Sequence, residues 1–216
     1  MEDVLDVYTR PYNPRRPVVC LDEATKQLVA EITPPLPMEP GQPARHDYEY
    51  ERCGTANLFM QCEPLVGRRH VKVTDRRTNE DFARLLRDLS DVHYPEAEVI
   101  VLVLDNLNTH KLSVLYQVYP PDEARRLCSR FEVHYTPKHA SWLNIAECGL
   151  SVLSRQCLDR RIDNQELLAE EVQAWETARN AQEVCVEWQF HTPDARIKLK
   201  RLYPVLAPTK SDGTDH

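Results

Sequence analysis

The sequence contains no stretch that marks a membrane-spanning or a secreted protein. No apolar run reaches the roughly 18 residues that a membrane span requires, and the N-terminus shows no signal-peptide pattern. The seven cysteines are scattered and include no C-x-x-C pair, which argues against a disulfide framework and against a zinc site. The 216 residues suffice for one domain with a substantial core, and we expect the protein to be cytoplasmic with free thiols.

Positive charge and glycine are also scarce. The formal net charge is −7, so no broad basic surface is available, and a complete, self-sufficient DNA-binding protein is not expected. The five glycines are isolated from one another, which argues against a glycine-rich loop that would cradle a nucleotide's phosphates. The sequence also has no internal repeat, so we do not expect a solenoid or a propeller.

The most informative stretch is an apolar run that ends in an acid. Residues 99–104 are all apolar and mostly β-branched, which is typical of a central strand covered on both faces of a largely parallel sheet. Asp105 follows directly, at the strand end where ligands bind in open α/β sheets. The alternative is that Asp105 and Asn106 form only a turn or a helix cap, for which both residue types are favoured.

A second apolar run, 17–21, is followed by two acids, Asp22 and Glu23. Side chains alternate along a strand, so only one of these two carboxylates can face a given site. The periodicity does not decide which one it is.

A third acid, Glu147, lies in a helix predicted from residue 141 to about residue 158. Glu147 is four residues after Leu143 and three before Leu150, so it lies beside the apolar stripe of that helix. The alternative is a capping box formed by Asn144 and Glu147, in which the carboxylate accepts hydrogen bonds at the first turn.

The rest of the pattern predicts an α/β protein. We expect strands over 48–64, 68–74 and 131–135, and helices after Thr78, within 112–130, from 163 and from 192, with an exposed proline-rich loop over 33–43. This order matches a ribonuclease H-like fold, a mixed five-stranded sheet flanked by helices. We expect a lead-in segment over 1–16, one domain over 17–204 and a flexible tail over 205–216.

Three short blocks resemble the catalytic blocks of the DDE transposases of the insertion-sequence-630 and mariner superfamily. They are Leu21-Asp22-Glu23, Leu104-Asp105-Asn106-Leu107-Asn108-Thr109-His110 and Ser141-Trp142-Leu143-Asn144-Ile145-Ala146-Glu147. The closing stretch 188–200 is similar to the end of such proteins, and the likeness runs from about residue 17 to residue 204.

The resemblance implies a metal-dependent endonuclease that also transfers DNA strands during transposition. Asp22, rather than Glu23, would join Asp105 and Glu147 as ligands of two Mg²⁺ ions, with Mn²⁺ as a substitute. Cations are needed there because three carboxylates in one pocket would otherwise raise one another's pKa. The implied partners are transposon-end and target DNA, and either a second copy of this chain or an intact transposase.

The resemblance also suggests groups that would support the metal ligands or contact DNA. These are Asn106, His110, Lys138, Asn144, Arg196, Lys198 and Lys200. For His110 an ordinary turn histidine is the alternative, and a short basic cluster is usually just a solvated face. Because the net charge is −7, any phosphate contact must come from local clusters, and a further one is Arg68, Arg69, Lys72, Arg76 and Arg77.

Two features depart from the family pattern. Members usually carry an N-terminal helix-turn-helix region that reads the transposon ends, whereas we expect this chain to begin almost at the catalytic domain. Related proteins tend to carry a second acid two residues after the catalytic glutamate, where this sequence has Gly149. These departures favour an alternative function, that of a non-catalytic remnant acting only through association with an intact transposase.

Overall fold

Five strands form a single mixed sheet in the computed structural model, which describes residues 1–45, 47–105, 110–138 and 140–203. The strands are β1 (Val18–Glu31), β2 (Tyr50–Glu63), β3 (Arg68–Thr74), β4 (Ile100–Leu104) and β5 (Phe131–Tyr135). Their order across the sheet is β3-β2-β1-β4-β5. The pairs β1–β2 and β2–β3 are antiparallel, whereas β1–β4 and β4–β5 are parallel. This is the mixed five-stranded sheet that the sequence predicts.

The α-helices of the described chain lie on both faces of this sheet. They are α1 (Glu2–Tyr8), α2 (Asn79–Asp88), α3 (Leu115–Val118), α4 (Pro121–Cys128), α5 (Ile145–Leu153), α6 (Gln165–Asn180) and α7 (Thr192–Lys198). None of the helices in the described ranges is long and apolar enough to cross a bilayer.

Strand β4 separates two hydrophobic cores. Val101 and Val103 belong to the core shared with α1, α5 and α6, whereas the alternate residues Ile100, Leu102 and Leu104 belong to the core shared with α2 and α4. All five side chains are buried. The expected central strand with two covered faces is therefore present. Because side chains alternate along it, the register also determines the sheet face on which the next residues lie.

Helix α2 forms because its local signals agree. The Thr78 hydroxyl accepts a hydrogen bond from the Asp81 backbone N–H, and the Asp81 carboxylate accepts one from the Thr78 N–H, which completes a capping box. Phe82, Leu85 and Leu86 are buried, as the three-and-four spacing predicts.

The N-terminal segment contributes to the core. Residues 1–16 were expected to be a lead-in, but Val4, Leu5 and Val7 of α1 are fully buried in the core that contains α5. The Tyr8 hydroxyl donates a hydrogen bond of 2.7 Å to the Leu143 carbonyl, just before α5. The short apolar patch of this segment therefore packs under the helix that carries Glu147.

His93, which ends the π-helical turn Leu89–His93 after α2, gives a testable pH dependence. Its ring stacks on that of His70, with 3.8 Å between the ring centroids. Burial lowers the pKa of His93, and the charge of His70 lowers it further, from 6.5 to about 4. The unfolded chain therefore binds more protons between these two values, so this contribution to stability is complete above pH 6.5 and is lost as the pH falls towards 4.

We expect His93→Gln to remove this pH dependence, because glutamine does not titrate. Between pH 7 and pH 4.5 the wild type should lose roughly 1 kcal/mol more of its free energy of unfolding than the variant, a value that allows for solvent screening of a half-exposed ring. Urea denaturation at both pH values measures the difference. An equal loss in the two proteins would contradict the prediction.

Candidate active site

Asp22 and Asp105 stand at matching positions on two neighbouring parallel strands. In the register of β1 and β4, Cys20 pairs with Val103. Asp22 comes two residues after Cys20, and Asp105 comes two residues after Val103. Because side chains alternate along a strand, Asp22 and Asp105 lie on the same sheet face as Cys20 and Val103. That face is the one covered by α5. The Glu23 side chain lies on the opposite face of the sheet. The strand register thus assigns Asp22 and Glu23 to opposite faces of the sheet and identifies the one that shares a face with Asp105. The periodicity of the sequence left that question open.

Asn144 holds the start of α5 against β1. Its side-chain amide donates a buried hydrogen bond of 2.8 Å to the carbonyl of Leu21, the residue before Asp22. Its side-chain oxygen accepts a hydrogen bond of 3.2 Å from the Ala146 N–H and caps α5. One side chain therefore connects the first turn of α5, which contains Glu147, to the strand that contains Asp22.

Glu147 does not act as a cap. Helix α5 has Asn144 as its N-cap but no capping box, in contrast to α2. Within the described part of the chain, the Glu147 carboxylate has no hydrogen bond and no ion pair, although the side chain is partly buried. The capping-box alternative is therefore not realised.

The three acids influence one another electrostatically. Burial raises the pKa of Asp22, and the negative charges of Asp105 and Glu147 raise it further, to about 6. The hydrogen bond of 2.8 Å that Asp22 accepts from the Glu23 N–H only partly opposes this rise. Asp22 therefore lies within the electric field of both other carboxylates, and the charge of His110 offsets their effect and that of burial only in part.

His110 lies behind the site. Its ring is 2 % exposed, stacks on Phe82 and hydrogen-bonds through Nδ1 to the Asp105 carboxylate. Its Nε2 is 3.5 Å from the Glu23 carboxylate, which also accepts a hydrogen bond of 3.0 Å from Arg77. Burial lowers the pKa of His110, but the hydrogen bond to Asp105 and the nearby Glu23 carboxylate outweigh this effect and raise it to about 9. His110 can therefore orient Asp105, but it is too deeply buried to contact DNA.

These contacts leave two of the carboxylates unneutralised. Asp105 and Glu23 have cationic partners, whereas Asp22 and Glu147 have no ion pair within the described residues. No three carboxylate, histidine or cysteine side chains of the described ranges converge closely enough to form a complete metal site. Mg²⁺ does not require one, because it usually binds one or two carboxylates and completes its coordination with water and phosphate oxygens. The donor chemistry and the uncompensated charge fit such an ion.

The remaining residues of the candidate site are placed as follows. Lys138, Lys198 and Lys200 are exposed and free to meet phosphate, and the Lys198 ammonium lies 5.7 Å from the centroid of the Phe190 ring. Arg196 is engaged, because its Nε and Nη2 each donate a hydrogen bond of 2.8 Å to the Glu2 carboxylate. Asn106 lies outside the described residues.

The predicted basic cluster on β3 and in the turn after it is not a continuous positive surface. Arg68 and Arg76 are exposed, but Lys72 pairs with Asp88 at 2.7 Å and Arg77 pairs with Glu23. Arg69 was expected at the surface and is instead buried. It is on the opposite face of β3 from Arg68, so alternation sends its side chain beneath α5.

The sequence did not predict an aromatic group next to the start of α5. Trp142, in the turn before α5, is 43 % exposed, and its ring is 6.4 Å from that of Trp188 and 5.8 Å from that of Phe190. Trp188 in turn lies 5.0 Å from Tyr8 of α1. The only signal was that Trp142 and Trp188 both fall within stretches that carry the family resemblance.

Comparisons with solved structures identify similar folds. The chain matches the crystal structure of the Mos1 mariner paired-end complex with Mn at 17 % identity and a TM-score of 0.55, over 84 % of this chain and 55 % of that one. The Mos1 strand transfer complex matches at 17 % identity and a TM-score of 0.56, with the same coverage. This chain therefore spans about half the length of these relatives. The expected ribonuclease H-like fold is confirmed.

Sequence comparisons identify the family. No curated protein matches the sequence significantly. The family model described as DDE superfamily endonuclease matches residues 17–169. That range contains Asp22, Asp105 and Glu147, the acids that the resemblance had singled out, and it is well over half of the chain. The chain therefore belongs to the DDE superfamily endonuclease family.

Proposed function

We propose that this chain is the catalytic domain of a DDE transposase, which cleaves DNA strands and joins the released 3′ ends to new sites. The observation that carries the proposal is the matched register of Asp22 and Asp105, on the sheet face covered by the helix that carries Glu147. We assign the catalytic domain to residues 17–204, preceded by 1–16 and followed by a tail over 205–216.

We propose that Asp22, Asp105 and Glu147 are the metal ligands and that the cofactor is Mg²⁺, as two ions for which Mn²⁺ can substitute. The raised pKa of Asp22, caused by burial and by the negative charges of Asp105 and Glu147, supports this assignment, because a bound cation would favour the ionised carboxylate. When bound, two such ions can activate an attacking water or 3′-hydroxyl and stabilise the leaving oxygen of a phosphodiester. The solution of a Mos1 complex with Mn supports the same cofactor class for this chain.

The protein's own contribution is to hold these ligands in place. The hydrogen bond from His110 fixes the rotamer of Asp105, and the stacking of His110 on Phe82 fixes His110 itself. Arg77 and His110 hold the Glu23 carboxylate on the other face of β1. Asn144 sets the position of Glu147 relative to Asp22 by joining α5 to β1. These contacts keep the reacting groups oriented before the substrate arrives.

We propose transposon-end and target DNA as substrates, with a second copy of this chain or an intact transposase as the partner. Mos1 was solved as a paired-end complex and as a strand transfer complex, which supports DNA as the substrate class here. Lys138, Lys198 and Lys200 are the exposed lysines that we assign to phosphate contacts, with a smaller contribution from the paired Arg196.

Nicking of supercoiled plasmid tests this function. With Mg²⁺ or Mn²⁺ the purified chain should convert supercoiled DNA to the nicked form, and EDTA should stop the reaction. The alternative, a non-catalytic remnant, is favoured by the net charge of −7 and by Gly149. It predicts no nicking with either metal, but a change in the activity of an intact transposase when the two are mixed.

Metal-linked stability gives an independent prediction. Mg²⁺ that binds only the folded chain should raise its melting temperature by mass action. Asp22→Asn should remove this rise and, without metal, should make the protein at least as stable as the wild type, because burial, together with the charges of Asp105 and Glu147, disfavours the Asp22 carboxylate in the folded state. Asp163→Asn, which removes one exposed charge elsewhere, is the matched control. Equal Mg²⁺ stabilisation in the wild type and Asp22→Asn would contradict the assignment.

DNA binding by this chain should be weak, almost independent of sequence and steeply dependent on salt. Replacing Lys198 and Lys200 by glutamate should weaken binding to all DNAs alike and flatten the slope of log K against log salt by about 2, since each lost phosphate contact contributes roughly 0.9. Fluorescence anisotropy with two unrelated duplexes measures both effects. Arg125→Glu on α4, on the other face of the sheet, should change the slope little. A thousandfold preference of the wild type for one short duplex would contradict this picture.

A further inference from the structure

A small cavity lies beneath α5, on the side away from the candidate active site. It has a volume of about 90 Å³ and lies between α5, the ends of β2 and β3, the end of α6 and the stretch 184–186. One water needs about 10–15 Å³ by a comparable measure, so a group of several heavy atoms fits. Two arginines line it, Arg69 and Arg179.

Arg69 is held rigidly at this cavity. Its guanidinium donates hydrogen bonds of 2.6 Å to the Gly67 carbonyl and 2.9 Å to the Val184 carbonyl. The Asn180 side chain bonds both the N–H and the carbonyl of Arg69, each at 2.8 Å. These partners are neutral, so they fix the position of the guanidinium without compensating its charge.

Arg179 is incompletely satisfied at the same place. Its Nε is buried and has no hydrogen-bond partner, and Nη1 makes only a long contact of 3.4 Å to the Gln182 side chain. Within the described residues, neither Arg179 nor Arg69 forms an ion pair with a carboxylate. A buried guanidinium donor without an acceptor is costly, and two of like charge at one cavity are more so.

The other lining groups do not supply the missing negative charge. The hydrogen bond to Cys20 and, next to it, burial raise the pKa of Cys62 well above its usual value, so the thiol stays neutral. Glu63 also lines the cavity, but its carboxylate accepts a hydrogen bond of 3.0 Å from the Tyr94 hydroxyl and, within the described residues, forms no ion pair with Arg69 or Arg179. The cavity therefore combines two cations with no anion paired to either of them.

This cavity is distinct from the candidate metal site. The α5 residues that line it are Ile145, Cys148, Gly149 and Val152. At 100° per residue, Glu147 is about 140–160° around the helix from Ile145, Gly149 and Val152. A group bound in the cavity would therefore contact the back of the helix that carries Glu147.

We propose that Arg69 and Arg179 form a binding site for a phosphate-like oxyanion beneath α5. Guanidinium groups bind tetrahedral oxyanions through paired charge-assisted hydrogen bonds, and the unpartnered Nε of Arg179 is a donor of this kind. The occupant is either free inorganic phosphate or a backbone phosphate of DNA. Its binding neutralises the two arginines and stabilises the contact of α5 with β2 and β3. The proposal does not depend on catalysis.

Thermal unfolding of the full chain in EDTA, in sodium phosphate and in sodium chloride of equal ionic strength, tests the site. Phosphate should raise the melting temperature of the wild type saturably, by roughly 3 °C or more. Arg179→Gln should abolish the rise, and Arg179→Lys should keep part of it. Arg68→Gln is the matched control, because it removes the same charge from the neighbouring, exposed position on the other face of β3.

Either of two results would overturn the proposal: no phosphate-specific rise in the wild type, or an equal rise in Arg179→Gln. Asp22→Asn should keep the full rise, which separates this site from the metal site and from the proposed activity. Competition between inorganic phosphate and a DNA duplex distinguishes the two sources of the bound phosphate. If inorganic phosphate displaces a 20-base-pair duplex from the wild type more effectively than from Arg179→Gln, the site takes a DNA phosphate, and otherwise it takes free phosphate.

Discussion

Glu147→Gln is expected to reduce metal-dependent nicking by about 1,000-fold or more, which corresponds to roughly 4 kcal/mol in the barrier. The amide keeps the shape of the side chain but cannot carry the negative charge that a Mg²⁺ ligand supplies. The carboxylate has no hydrogen bond or ion pair within the described residues, so its loss should leave the fold unchanged. Plasmid nicking rates, with the melting temperature measured on the same samples, test both statements.

A control for this variant is available in the same chain. Glu166 occupies the first turn of α6, as Glu147 occupies the first turn of α5, so Glu166→Gln makes the same change at the same kind of helix position. Nicking by Glu166→Gln should equal that of the wild type. Unchanged nicking by Glu147→Gln would remove Glu147 from the triad, and loss of nicking together with loss of folding would assign it a structural role instead.

Gly67→Ala should lower the free energy of unfolding by about 3 kcal/mol or more. Gly67 forms the turn between β2 and β3 with a φ of +69°, a conformation that alanine rarely adopts. A Cβ there would lie 2.7 Å from the backbone carbons of Glu183 and Val184. The three nearest atoms all belong to the backbone of residues 183–184, so there is no flexible side chain that could move aside. Urea denaturation measures the loss.

Gly149→Ala is the matched comparison and should have the opposite sign. Gly149 is inside α5 with ordinary helical backbone, and its Cβ would meet the Met60 Sδ at 3.4 Å, a van der Waals contact. Alanine should therefore raise the free energy of unfolding by about 0.5–1 kcal/mol. If the Gly67→Ala variant and the wild type had equal free energies of unfolding, the prediction would be contradicted. The backbone of residues 183–184 would then be able to move away from the added Cβ.

The elements with local signals were predictable from the sequence. The apolar run of β4 and the capping box and spacing of α2 each lie within about ten consecutive residues, and both formed as predicted. The order of strands and helices followed from such local patterns, which made the fold class predictable. The resemblance then identified a family that the later comparison confirmed.

Features set by distant residues were not predictable. The sequence shows that Asp22 and Glu23 face opposite ways, but the face of each depends on the pairing of β1 with β4. The inward position of Arg69 depends on acceptors more than 100 residues away, at Val184. The burial of α1 depends on contacts with α5, and a single short apolar patch does not specify them.

The central position of β1 also sets the timing of assembly during synthesis. Its antiparallel partner β2 follows closely, but its parallel partner β4 begins only roughly 70 residues after β1 ends. At a synthesis rate of about 5–20 residues per second, one edge of β1 stays open for several seconds on the ribosome. The open edge lies at Val18–Cys20, where β4 later pairs, and it is a template for pairing with other chains. We expect nascent chains that end before β4 to need chaperones and to have no nuclease activity.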